Sequence, residues 1–196
     1  MEPFLERRMV AGDGTDIAVS IAGNGPPLLL LHGHPQTLMM WAKVARLLVD
    51  KFTLIAADLR GYGASGKPPS TPDHASYAKR AMANDMAAVM RNLGYETFFI
   101  AGHDRGARVT HRLCLDHAER VRRAAVLDIA PTRHMYATTN QDFATGYWHW
   151  FFLIQPSPLP ETLINADPDM FWKLKCGRGV AGMTPFASEA LGDYLH

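Results

Sequence analysis

Residues 100–112 read IAGHDRGARVTHR, and the fold turns on how this stretch is parsed. An apolar run, TFFIA (97–101), stops at Gly102, and a helical pattern, GARVTHRLCLDHAE (106–119), starts at Gly106. Between them Asp104 stands with one glycine two residues before it and another two after. A sharp strand-to-helix turn brings backbone against its neighbours, so a Cβ at either glycine is costly. This is the nucleophile-elbow pattern with Asp in the position usually held by Ser. Such a turn pushes the Asp104 side chain out at the carboxyl end of its strand, where ligands bind in open α/β sheets. The helix N-terminus beneath it favours a negative charge there. The competing reading is an aspartate that only caps the helix; the two flanking glycines argue against it.

Outward from the elbow the same alternation repeats. RRMVAGDGTDIAVSIAG (7–23) breaks at Gly12-Asp13-Gly14 and reads as a β-hairpin. PPLLLLHG (26–33) is a continuous apolar run, as expected of a parallel strand covered on both faces. LMMWAKVARLLVD (38–50) has helical spacing, and FTLIAADLRGYG (52–63) is the next strand and loop. In SYAKRAMANDMAAVMRNLG (76–94), Met82, Met86, Val89, Met90 and Leu93 recur at helical intervals and Gly94 closes the pattern. VRRAAVLDIAP (121–131) supplies another strand. Strands alternating with helices of this length imply a doubly wound, mostly parallel α/β sheet preceded by a hairpin. After Pro131 the texture changes. YWHWFFLIQPSPLPETLINADPDMFWKLKCGRG (147–179) is rich in aromatics and prolines and reads as a helical cap. The expected division is therefore a core over 1–131 and a cap over 132–196.

Composition narrows the partners. Among 196 residues, 20 Lys and Arg face 19 Asp and Glu, so no field of one sign recruits nucleic acid or an anionic membrane. The first ten residues, MEPFLERRMV, lack the apolar core of a signal peptide, and no apolar run reaches the length of a membrane span. A cytoplasmic protein with a small-molecule partner is expected. Cys114 and Cys176 are too few for a disulfide framework or a zinc cluster and are expected to be buried thiols. The His32-x-His34 pair lacks a third ligand at metal-site spacing, so no metal and no cofactor are expected.

GHDRGAR (102–108), together with LLLHGHPQT (29–37), ADLRGYGASGKP (57–68), LDIAPT (127–132) and YWHW (147–150), resembles the fluoroacetate (haloacetate) dehalogenases of the α/β-hydrolase superfamily. The resemblance covers nearly the whole chain. HGxP and DLRGYGxS are shared with epoxide hydrolases and haloalkane dehalogenases, whereas HDRGAR and YWHW are more specific. Residue chemistry points the same way: a carboxylate nucleophile displaces a leaving group from saturated carbon and leaves an ester on the enzyme, unlike a serine, which suits acyl transfer. Haloalkane dehalogenases place Trp after the nucleophile, for neutral substrates, where this chain has Arg105. Arg108 lies three residues on, on the same helix face. A guanidinium fork matches a carboxylate, and each charge-assisted bond contributes about 1.5–3 kcal/mol, so Arg105 and Arg108 are the expected anchors of a haloacetate. Surface pairing with nearby acids is the alternative for both.

The resemblance implies further roles. The backbone amides of His34 and Arg105 form the oxyanion hole, and His34 departs from the aromatic that relatives commonly carry at its position. His149 and Trp150 bind the departing halide, while Tyr147 and Trp148 pack the cap; an aromatic stripe burying a cap helix is the plainer reading of all four. Asp128 orients the catalytic base, or merely caps a turn. Asp58 and Arg60 are structural. The base itself, a histidine after the last strand, has no counterpart here: about six strands are expected where the fold has eight, and the chain ends within the cap. A homodimer is also implied. The expected activity is hydrolytic dehalogenation of haloacetate, with the halogenated acid and water as partners. The rivals are an epoxide hydrolase and a non-catalytic fragment that holds small carboxylates.

Overall fold

The computed structural model describes residues 8–176, 186 and 188–194. Its chain groups into two units, one running to Ile129 with Gly192–Tyr194 added, the other over Ala130–Leu191.

The first unit is a six-stranded mixed sheet. β1 (Arg8–Ala11) and β2 (Asp16–Ala22) form the hairpin, closed where the Gly12 amide donates to the Thr15 carbonyl at 2.8 Å. β3 (Pro27–Leu31), β4 (Thr53–Ala57), β5 (Phe98–His103) and β6 (Val121–Leu127) follow, in the spatial order β1-β2-β4-β3-β5-β6. β3 runs parallel to both β4 and β5, and β5 to β6; only the hairpin side is antiparallel. This is the mostly parallel sheet that the alternation predicts.

The leucines of β3 show why the run is continuous. Side chains of a strand alternate between faces. Leu29 and Leu31 join Ile55, Met82, Met86, Val89 and Val109 in one core, beneath α2 (Lys79–Asn92) and α3 (Arg105–Asp116). Leu28 and Leu30 join Leu38, Trp41, Ala45 and Leu54 in a second core, beneath α1 (Ala42–Leu48). Both faces are covered, so no position of the strand tolerates a polar residue. The 38–50 helix begins as a 3-10 turn, Leu38–Trp41, before α1. Thr37 starts that turn and also donates its hydroxyl to Asp193.

The second unit holds α4 (Thr132–Ala137), α5 (Gln141–Gly146), α6 (Trp148–Phe152), α7 (Leu159–Ala166) and α8 (Pro168–Cys176), together with the start of α9 (Ser188–Tyr194). Its helices are short and held by aromatic contacts. Cys114 and Cys176 are free and half-buried, less enclosed than the expected buried thiols, and burial pushes both thiols up.

Candidate active site

The elbow is built by contacts that leave no room for a side chain at its glycines. A Cβ on Gly102 would lie 2.5 Å from the Gly106 carbonyl oxygen, and one on Gly106 would lie 2.4 Å from that of Leu31, at the end of β3. With these close approaches, α3 starts directly against the sheet. Asp104 between them takes φ 47° and ψ −114°, a conformation an L-residue adopts only under constraint. It occupies the N-cap position of α3 yet makes no capping bond through its side chain. Its own amide donates to the Leu127 carbonyl at 3.2 Å, tying the turn to the end of β6.

The carboxylate points instead to the loop after β3. The His34 amide donates to Asp104 Oδ1 at 2.8 Å. Gly33 permits this approach: a Cβ there would meet the Asp104 Cβ at 2.5 Å. The loop's shape comes from two buried side chains. Neutral His32 accepts the Leu59 amide on Nε2 (3.0 Å), which places its proton on Nδ1, facing the Gly33 carbonyl at 2.8 Å. Burial lowers its pKa despite the nearby Asp58. Asp58 accepts the Leu38 amide at 2.7 Å and the Ala64 amide at 3.1 Å, joining the loops after β3 and β4. Arg60 pairs with Asp85 through two 2.6 Å bonds and also donates to the Ser76 and Asp13 carbonyls, at 2.8 and 2.7 Å. Both residues expected to be structural thus make their bonds within the scaffold.

Arg105 and Arg108 occupy the first turn of α3, half-buried. Two neighbours that the sequence reading did not single out join them. Tyr62, in the loop after β4, stands with its hydroxyl 3.1 Å from His34 Nδ1 and lies within electrostatic reach of Arg105 and Asp104; burial pushes its phenol up. Lys79, at the start of α2, lies within electrostatic reach of Arg105, Asp104 and Arg108. Its burial, helped by the two arginine charges, brings it down to about 8 against the pull of Asp104. Lys79, Arg105 and Arg108 thus bring positive charge to the neighbourhood of Asp104, which favours a small anion there. Neither residue belongs to the elbow motif; the only advance signal was their position in segments that follow β4 toward the sheet's carboxyl edge.

Asp128 follows β6 with φ 58° and an 84% exposed side chain, and its Oδ2 lies 3.7 Å from His103 Nε2. That pairing is a second one sequence spacing did not show.

His149 and Trp150 lie on α6 of the second unit. Trp150 packs against Tyr136 (ring centroids 5.5 Å apart) and Phe143 (6.4 Å). His149 neighbours the rings of Tyr147 and Trp148, at 5.9 and 6.1 Å. Tyr147 stacks on Phe143 at 4.9 Å, and Trp148 meets Phe152 and Phe171 at 5.8 and 6.1 Å. The aromatic stripe thus holds this unit together, and the imidazole and indole proposed for halide are part of it.

Comparison with known proteins bears on the family and the fold. The family model described as alpha/beta hydrolase fold matches residues 26–178. A fluoroacetate dehalogenase of Burkholderia sp is 50% identical over 191 residues, 97% of this chain and 63% of that protein. A soluble epoxide hydrolase of Corynebacterium sp. (strain C12) is 41% identical over 110 residues, 56% of this chain and 37% of that protein. Among solved structures, the epoxide hydrolase CorEH superposes with a TM-score of 0.84 at 28% identity, covering 97% of this chain and 66% of that one. The chain spans just under two thirds of the length of the fluoroacetate dehalogenase.

Proposed function

We propose that this chain, which belongs to the α/β-hydrolase fold family, carries the nucleophile and carboxylate-binding part of a hydrolytic haloacetate dehalogenase. The observation that supports this most is the Asp104 carboxylate with one oxygen already bound by the His34 amide, at an elbow where Lys79 lies within electrostatic reach of Asp104, Arg105 and Arg108. A neutral epoxide gains nothing from three cations, whereas a haloacetate brings the anion they match.

The chemistry follows from which oxygen is held. Oδ1 accepts the His34 N–H, so Oδ2 is the attacking atom. It displaces halide from the carbon next to the substrate carboxylate: the C–O bond forms, the C–halogen bond breaks, and the electron pair leaves with the halide. Asp104 is now a glycolyl ester whose carbonyl oxygen is Oδ1. When water attacks that carbonyl carbon, negative charge develops on Oδ1, where the His34 N–H, joined by the Arg105 amide, stabilises it. Collapse of the intermediate releases glycolate and restores the carboxylate. His149 and Trp150 are the proposed N–H donors for the departing halide, and Asp128 the residue that orients the base.

The resemblance puts the water-activating histidine after a later strand, and we assign that role to none of the nine histidines here; without such a base the reaction is expected to release close to one equivalent of halide and stop at the ester. The test is halide release from chloroacetate and fluoroacetate beside adduct formation with a neutral terminal epoxide. One equivalent of halide, with no epoxide adduct, supports the reading. An epoxide adduct without halide release favours the epoxide hydrolase that the family also contains.

A further inference from the structure

The His34 amide sits in a turn that does not use it. The Gln36 amide donates to the Gly33 carbonyl at 3.0 Å and closes the turn 33–36, which leaves the His34 N–H outside the turn's own bond and directed to Asp104 Oδ1 at 2.8 Å. Gly33 before it has no Cβ to limit rotation, so the His34 side chain is a point at which the direction of that N–H can be held. The ring Nδ1 of His34 lies 3.1 Å from the Tyr62 hydroxyl, and the two rings meet edge-on at 5.9 Å.

Tyr62 is anchored independently of the nucleophile. Its amide donates to the Leu59 carbonyl at 2.9 Å, and its carbonyl accepts the Ser65 amide at 3.0 Å. Ser65 is buried; its hydroxyl donates to the Asp58 carbonyl at 2.7 Å and accepts the Ala18 amide at 2.9 Å, which ties the turn to β2. The Tyr62 ring also meets the buried His32 ring edge-on at 5.2 Å. A continuous run of bonds therefore leads from β2 through Ser65, Tyr62 and His34 to the Asp104 carboxylate.

We propose that Tyr62 is a positioning residue for ester cleavage: through the His34 ring it holds the His34 N–H on Oδ1 of Asp104. This rests on the reading of Asp104 as the nucleophile and of the His34 amide as the oxyanion donor. The two chemical steps respond to that donor with opposite sign. As Oδ2 attacks the substrate carbon, the carboxylate loses its charge, so a donor on Oδ1 stabilises the reactant more than the transition state. As the ester is cleaved, Oδ1 gains charge, so the same donor stabilises the transition state. A residue that only supports the fold slows both steps together, whereas one that aims this N–H changes their ratio.

The test follows both steps by intact mass. The wild-type chain, Tyr62→Phe, His34→Phe and the double variant are alkylated with chloroacetate, and the rate of ester formation is recorded. Each ester is then treated with hydroxylamine, which needs no water-activating base. Its nitrogen attacks the ester carbonyl carbon, glycolate leaves with a proton from that nitrogen, and a hydroxamate remains on Asp104. Tyr62→Phe is expected to lower the ratio of cleavage rate to formation rate about fivefold. His34→Phe, which keeps a ring but removes the bonding nitrogen, is expected to lower it by a like factor, and the double variant no further than either, because both act through one run of bonds. A ratio equal to that of wild type in either single variant, whether the two rates hold or fall together, overturns the positioning role and leaves the nucleophile reading standing. A wild-type chain that forms no ester at Asp104 overturns that reading and this inference with it. Hydrogen exchange of the His34 amide in the wild-type chain needs no variant: slow exchange is expected, and exchange as fast as in an open loop overturns the proposal.

Discussion

At the scale of single residues, the site depends on what is missing from Gly102 and Gly106 as much as on what Asp104 supplies. Gly106→Ala sets a methyl 2.4 Å from one backbone oxygen and 2.5 Å from the next, those of Leu31 and His32, neither of which is a flexible side chain. The expected cost is about 1–3 kcal/mol, read as a lowered denaturant midpoint, together with loss of alkylation at Asp104. A variant as stable as wild type contradicts the packing argument. Lys79 gives a prediction with a definite sign. Its folded pKa, about 8, lies below the ordinary lysine value of 10.5. Between these values the unfolded chain holds a proton that the folded chain has lost, so stability rises with pH across that window. Below it, the folded state bears the cost of a buried charge. Lys79→Met is therefore expected to raise the melting temperature at pH 7 and to flatten the rise between pH 8 and 10.5. An unchanged pH profile would show that Lys79 is not desolvated in the folded chain.

At the scale of elements, the buried Arg60–Asp85 pair joins the hairpin turn at Asp13, the segment at Ser76 and helix α2. Asp85→Ala strands a buried guanidinium and is expected to cost about 3–5 kcal/mol by urea unfolding; a loss below 1 kcal/mol would mean that water reaches Arg60. This pair also shows where sequence reading stops. The strands and helices were legible because their signals are local: four successive leucines in β3, methionines at helical spacing in α2, a glycine on each side of Asp104. Asp58, Arg60 and the elbow were legible because they belong to compact motifs. Tyr62 and Lys79 were not, since what brings them to Arg105 is the placement of β4 beside β3 and of α2 beside α3. The contact between His103 and Asp128, 25 residues apart, depends likewise on β5 pairing with β6. The contact of the His34 ring with Tyr62 was invisible for the same reason, since the two lie in loops after different strands.

At the scale of the whole molecule, β6 ends the sheet among the described residues, and Val126 and Leu127 on it are 52% and 42% exposed. An apolar, unpaired strand edge favours association. Concentration-dependent self-association is expected in sedimentation, and Val126→Lys with Leu127→Lys is expected to reduce it. Association unchanged by these lysines would place the contact elsewhere. No described helix is long and apolar enough to cross a membrane. The two units carry different parts of the proposed chemistry, nucleophile and carboxylate anchor in the first, halide donors in the second. The nucleophile can be tested without a complete cycle, because formation of the ester precedes the hydrolysis that needs the water-activating base. The decisive measurement is the intact mass of the chain after incubation with chloroacetate, followed by peptide mapping, with Asp104→Asn alongside. A single glycolyl-ester gain that maps to Asp104 and is absent from Asp104→Asn is the predicted result. An unmodified wild-type chain, or an adduct on another residue, would contradict the assignment of Asp104 as the nucleophile.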